Sequence, residues 1–287
     1  MGKLCVAAKI THVPTMIMSE QPGRLHGCRK AAIDGHKQIA QMAKDLDVDT
    51  VIVLDTHWLV NAGYHVNSNT SFKGNYTSHE FPHFIQNLEY QYYGNADLGD
   101  RIANKATDKG VFTLSHQVDS LSLEYGTLVP MRYMNEDSQF KIVSIAAWCT
   151  VHNLESSRLL GEAIREAIEE SNSRVMLLAS GSLSHRIWDN EKYEANNGTF
   201  TISKEFNRQV DLRVLELWAQ RDYKTFLDML PDYANLCSGE GGMHDTAMLF
   251  GALGWDKYEG KSEVITDYFP SSGTGQVNVI FEVTDSK

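Results

Sequence analysis

Five short runs along the chain have the look of strands: 4–10 (LCVAAKI), 50–55 (TVIVLD), 141–147 (KIVSIAA), 174–180 (RVMLLAS) and 276–283 (QVNVIFEV). They are short, largely continuous in apolar residues and without a 3.6-residue period, which predicts strands covered on both faces. Between them the period changes. Ile33, Ile39, Met42, Ala43 and Leu46 fall near one face of 33–46, and Leu159, Leu160, Ala163, Ile164, Ala167 and Ile168 form a stripe in 156–170, so both stretches are expected to be amphipathic helices. Further helices are expected at 203–219, at 224–230 with Pro231 as its stop, and at 246–253 before Gly254. Buried strands alternating with helices predict an α/β fold with a central buried sheet flanked by helices. The stretch 61–99, rich in Asn, Tyr and Gly, has weak periodicity and is expected to be a long insertion over the sheet, serving as a lid. With no repeat and no Ser/Gly/Pro-rich linker, residues 1–287 are expected to form a single domain.

Charge narrows the function classes. The formal net charge is −11, and no run of Lys and Arg offers a phosphate-binding surface, which argues against a nucleic-acid partner. Apolar blocks such as VIVL (51–54) and VMLLA (175–179) are far shorter than the roughly 20 residues that span a bilayer, so no membrane partner is expected. The N-terminal MGKLCVAAKITHVP is interrupted by Lys9 and carries no convincing cleavage site, and a cytoplasmic location is expected. Cys5, Cys28, Cys149 and Cys237 lie far apart with no CxxC pair, which excludes a zinc ribbon or disulfide scaffold. Any metal must therefore use histidine and carboxylate, and the chain holds 11 His.

His79-Glu80-Phe81-Pro82-His83 has the letters of the HExxH zinc motif, but that chemistry needs both imidazoles on one continuous helix. Pro82 suits a helix start, so a helix over PHFIQNLEY is expected to leave His79 outside. A second set is better placed: His12, His57 and His185 each follow a predicted strand, where open α/β sheets bind their ligands. Two imidazoles and one carboxylate make the facial triad that holds non-haem Fe(II), and the remaining histidine would be free for proton transfer. The carboxylate is expected within GEGGMHDT (239–246), as Glu240 or Asp245; the alternative for Asp245 is helix capping, and for Glu240 a solvated loop charge. No GxGxxG, Walker A or GxSxG motif supports a nucleotide or serine-hydrolase reading.

These residues, taken with HGCR (26–29), AIDGHK (32–37), DTHWLVN (55–61), LEYGTLVPMRYMNED (123–137), LASGSLSHR (178–186), GWDKYEGK (254–261) and FPSSGTGQVN (269–278), resemble the class III extradiol ring-cleavage dioxygenases of the protocatechuate 4,5-dioxygenase beta-subunit type. The resemblance runs over nearly the whole chain. It implies Fe(II) ligated by His12 and His57, a third ligand at Glu240 or Asp245, His185 as acid/base, dioxygen as co-substrate and a homo-oligomer. The implied substrate is a small catechol with a carboxylated arm, for which Arg186, Ser271 and Ser272 are candidate contacts. Many relatives carry Asp-His-Gly where this chain has Glu124-Tyr125-Gly126, so Tyr125 or His116 is the candidate for that missing histidine. Ligand type leaves Mn(II) and Mg(II) open beside Fe(II). Ring cleavage of another catechol or an aminophenol, a metal-dependent hydrolase, and a non-catalytic metal-binding member of the fold remain the alternatives.

Overall fold

The computed structural model describes residues 1–284. Its strands are β1 (Lys3–Ile10), β2 (Thr50–Val60), β3 (Tyr64–Asn67), β4 (Ser71–Tyr76), β5 (Leu88–Tyr93), β6 (Thr113–His116), β7 (Lys141–Cys149), β8 (Arg174–Ser180), β9 (Ser262–Ser271) and β10 (Thr274–Phe281). The helices are α1 (Thr15–Glu20), α2 (Lys30–Asp45), α3 (Ala96–Asp108), α4 (Tyr125–Met134), α5 (Leu154–Glu169), α6 (Asn190–Tyr193), α7 (Glu205–Gln220), α8 (Tyr223–Leu236) and α9 (His244–Leu253).

Eight strands form one mixed sheet in the order β6-β3-β7-β2-β8-β1-β10-β9. β7, β2, β8 and β1 run parallel at its centre, while β3 and β10 flank them antiparallel. Alternate residues of each central strand enter two separate cores. On β2, Ile52 and Leu54 pack into the core shared with α3, α5 and α9, and Val51 and Val53 into the one shared with α2 and α4. Val175 and Leu177 of β8 likewise face opposite to Met176 and Leu178. Both faces being covered explains why these strands read as continuous apolar runs rather than alternating ones.

Three local expectations are corrected. The stretch 61–99 is not a structureless insertion: β3 joins the main sheet, and β4 and β5 pair as a separate two-stranded sheet. No helix starts at Pro82. Residues 77–87 form turns and Leu88–Tyr93 is a strand, whose aromatic side chains suit a pleated surface better than a helix. Pro231 lies inside α8 rather than ending it. An internal proline costs about 3 kcal/mol, but burying each large apolar side chain returns about 1.5–3 kcal/mol, and α8 buries Tyr223, Phe226, Leu227, Leu230 and Tyr233 on one face. Among the described residues, no helix is long and apolar enough to cross a membrane.

Candidate metal centre

Three neighbouring strands deliver the site. β2, β8 and β1 are adjacent in the sheet; His185 and His12 stand past the carboxyl ends of β8 and β1, and His57 stands near the carboxyl end of β2. His57 lies within β2 itself, where the pairing with β7 breaks register between Asp55 and Leu59. Asp55 fixes this irregular turn of the chain by accepting the His57 backbone N–H at 2.8 Å and the Thr127 hydroxyl at 2.7 Å.

Glu240 reaches the same point from a tight loop. The residues after it, Gly241, Gly242 and Met243, all take positive φ (56°, 67° and 63°), a left-handed path that glycine adopts without strain. A bridge between Ser184 and Gly239 holds this loop to the segment after β8, with the His185 N–H on the Ser238 carbonyl at 2.9 Å and the Glu240 N–H on the Leu183 carbonyl at 3.2 Å. Glu240 and His185 are thus placed by one backbone pairing.

The donor atoms converge. Glu240 Oε1 lies 3.0 Å from His12 Nε2 and 3.2 Å from His57 Nε2, and one donor atom from each of the three residues falls within 4.8 Å of the others. The outer nitrogens are held as well. His12 Nδ1 is 3.0 Å from Ser180 Oγ, whose own proton goes to the Gly126 carbonyl, so Nδ1–H donates and Nε2 is turned toward Glu240. His57 Nδ1 donates to Glu80 at 3.2 Å. Glu240 accepts from the Thr56 hydroxyl at 2.7 Å and from the Ser182 backbone N–H. Two imidazole nitrogens and one carboxylate, each oriented by a second partner, fit a divalent transition metal.

Charge in this cluster follows from burial and pairing. Burial alone would raise the Glu240 carboxyl, but His12, His185 and the hydrogen bonds from His12 and His57 hold it well below the usual carboxylate range. Burial pulls His57 down, yet its hydrogen bonds to Glu240 and Glu80 outweigh that and push it up to about 9. His185 stands apart, with Nε2 3.8 Å from Glu240 Oε2, beyond hydrogen-bond reach, and its side chain 31% exposed. Burial lowers it below its ordinary 6.5, against the opposing pull of Glu240, so it is neutral at physiological pH.

This cluster opens into a cavity walled by Tyr125, Phe81, Phe84, Ile187, Ser271 and Ser272 among others. The Tyr125 ring stacks on His57 with centroids 3.7 Å apart, and its hydroxyl points to Glu80 at 3.4 Å. Burial, with Glu80 and Glu240 nearby, pushes the phenol far above its ordinary value, so it remains protonated. Ser272 and Gly273 form the two-residue turn between β9 and β10, both at positive φ (55° and 98°), as a right-twisted hairpin requires.

Three of the candidates from sequence lie elsewhere. Asp245 turns its carboxylate to Lys9, at 2.5 Å, and both side chains are fully buried; a ligand role there would strand the Lys9 ammonium. His116 hydrogen-bonds His65 at 2.7 Å on edge strand β6, separated from β2 by β3 and β7. Arg186 is 51% exposed and faces Asp189 at 3.8 Å rather than the cavity. Glu80 was legible only as part of a zinc motif that does not form, because Pro82 and the turns of 77–87 replace the helix; its contacts to His57 and Tyr125 had no local sequence signal.

Residues 6–282 match the family of the catalytic LigB subunit of aromatic ring-opening dioxygenase, and the chain belongs to that family. It is an extradiol ring-opening dioxygenase, whose chemistry joins an aromatic substrate, dioxygen and a metal ion. Over 261 residues it is 56% identical to 3,4-dihydroxyphenylacetate 2,3-dioxygenase from Escherichia coli, covering 91% of this chain and 94% of that one. It is also 25% identical, over 66% of this chain and 64% of the relative, to the 2-aminophenol 1,6-dioxygenase beta subunit of a Pseudomonas species. The crystal structure of an uncharacterized Escherichia coli K12 protein superposes with a TM-score of 0.61 at 14% identity, covering 97% of this chain and 100% of the other, which shows a shared fold.

Proposed function

We propose that this chain opens 3,4-dihydroxyphenylacetate with dioxygen between ring carbons 2 and 3, giving 5-carboxymethyl-2-hydroxymuconate semialdehyde with both oxygen atoms retained in the product. The ion is Fe(II), held by His12 Nε2, His57 Nε2 and Glu240 Oε1, and the convergence of these three atoms beneath one aromatic-walled cavity is the observation that carries the reading. Iron held there would supply the one-electron chemistry that lets an electron-rich ring react with dioxygen.

The protein's own groups do the rest. Ser180 and Glu80 fix the outer nitrogens of the two ligating rings, and Thr56 with the Ser182 N–H fixes the carboxylate, so no ligand has to reorganise during turnover. His185, neutral and outside the triad, is placed to take the proton of a substrate hydroxyl at a ring nitrogen and return it as the ring opens. Tyr125 stays a phenol; stacked on His57, it fixes that ring's tilt and takes the place of the histidine that many relatives carry. Phe81 and Phe84 keep the cavity wall apolar, limiting water beside the ring. The protein works in the cytoplasm as a homo-oligomer.

The test is anaerobic reconstitution with Fe(II), followed by oxygen uptake and the appearance of a yellow ring-opened product from 3,4-dihydroxyphenylacetate. One oxygen consumed per catechol opened is expected. Absence of uptake with every catechol and with 2-aminophenol removes the reading; uptake restored by Mn(II) but not Fe(II) corrects only the metal.

A further inference from the structure

Arg29 is a buried cation without a matching anion. It is 5% exposed, and its side-chain hydrogen bonds among the described residues go to two hydroxyls and a backbone carbonyl, not to a carboxylate. Its Nε donates to Thr15 Oγ1 at 2.9 Å, and Nη2 to the Thr199 carbonyl at 2.7 Å and to Ser271 Oγ at 3.2 Å. The guanidinium carbon sits 5.3 Å from the Phe200 ring centre and 5.0 Å from that of Phe269. Aromatic faces and neutral acceptors offset part of the cost of burying this charge, but not as an anion would.

Thr15 and Ser271 are the link to the cavity, since both line it beside the metal cluster. Each hydroxyl accepts from Arg29, which leaves its own O–H to donate; the two oxygens are 3.4 Å apart, at the limit of a mutual hydrogen bond. Two O–H donors polarised from behind by one cation present the pattern that a carboxylate accepts.

We infer that Arg29 is a specificity-determining residue: through the Thr15 and Ser271 hydroxyls it supplies the positive charge that selects aromatic substrates carrying a carboxylate arm. The inference rests on the ring-cleavage reading above. It replaces Arg186, which points into solvent, and it gives the HGCR stretch a function. It also explains how a chain of net charge −11 attracts an anionic substrate: the cation is local, buried and not neutralised by the protein.

The experiment compares kcat/KM for 3,4-dihydroxyphenylacetate and for 4-methylcatechol, which lacks the carboxylate, in the Fe(II)-loaded wild type and in Arg29→Gln. Loss of a charge-assisted contact corresponds to roughly 10- to 100-fold, so the ratio of the two constants is expected to fall by that factor, mostly through KM. Should Arg29→Gln not fold, Ser271→Ala and Thr15→Val carry the same test, each lowering the ratio by roughly tenfold. A ratio that stays constant, with both substrates weakened alike, assigns Arg29 to structure and overturns the inference. Wild type that opens both catechols with equal kcat/KM also overturns it while leaving ring cleavage intact, whereas no turnover of either removes the ring-cleavage reading itself.

Discussion

Two buried carboxylates five residues apart, Glu240 and Asp245, have opposite fates. Asp245 meets the fixed ammonium of Lys9 and closes a charge pair inside the core. Glu240 meets imidazoles, which hold its negative charge but can give up their protons. A carboxylate faced by an amine is a structural element, because lysine surrenders its proton reluctantly. One faced by two imidazoles whose outer nitrogens are already engaged exchanges those protons for a metal ion. Burial is shared by both sites, so the partner decides.

The largest test exchanges the two outcomes. Glu240→Ala should fold and lose its metal, iron falling from about one per chain toward zero by metal analysis. Asp245→Ala should do the reverse: it strands the Lys9 ammonium and costs about 3–5 kcal/mol in denaturant titration, while the protein that folds still takes up iron. Pairing Asp245→Leu with Lys9→Met should recover most of that loss. Iron retained in Glu240→Ala and lost in Asp245→Ala would invert the assignment.

His185→Ala sharpens the boundary of the metal cluster. Iron content should be unchanged and kcat should drop about 10²- to 10⁴-fold. Because burial keeps the His185 pKa below 6.5 and the neutral ring is the proposed base, wild-type activity should fall as pH drops through the His185 pKa, and this acid limb should vanish in the variant. Full turnover by His185→Ala would remove its acid/base role.

Thr56→Val probes the support beneath Glu240. Loss of the 2.7 Å hydrogen bond should weaken iron affinity about 10- to 100-fold, read by competition with a chelator. The smallest effect is in pH. The His57 proton, held to about 9 by Glu240 and Glu80, competes with metal at Nε2, so affinity should rise as pH increases toward 9, by up to about tenfold per unit. Calorimetry in buffers of different ionisation enthalpy should register the released proton; pH-independent binding would show that His57 is not a ligand.

How far the site could be read from sequence depended on whether the deciding contact was local. His12, His57 and His185 were legible because a strand's end is a local event, and the parallel order β2-β8-β1 brings three such ends side by side. Tyr125, Ser271 and Ser272 all line the cavity. His116 misled: it is near Tyr125 in sequence, but it ends β6 at the sheet's edge, which no pattern within a few residues records. Pro231 misled for the opposite reason, since a buried face of five side chains outweighs one missing hydrogen bond.

The sequence by itself determined the α/β alternation, the two-sided burial of the central strands and the identity of the histidines available to a metal. These follow from periodicity and from residue type, which act over a few positions. Tertiary structure alone decided that Lys9 claims Asp245 across 236 positions of chain, that Glu240 therefore remains for the histidines, and that Arg29 stands behind Ser271 across 242. Electrostatic pairing acts through space in a low-dielectric interior, and the folded sheet sets which charges meet there.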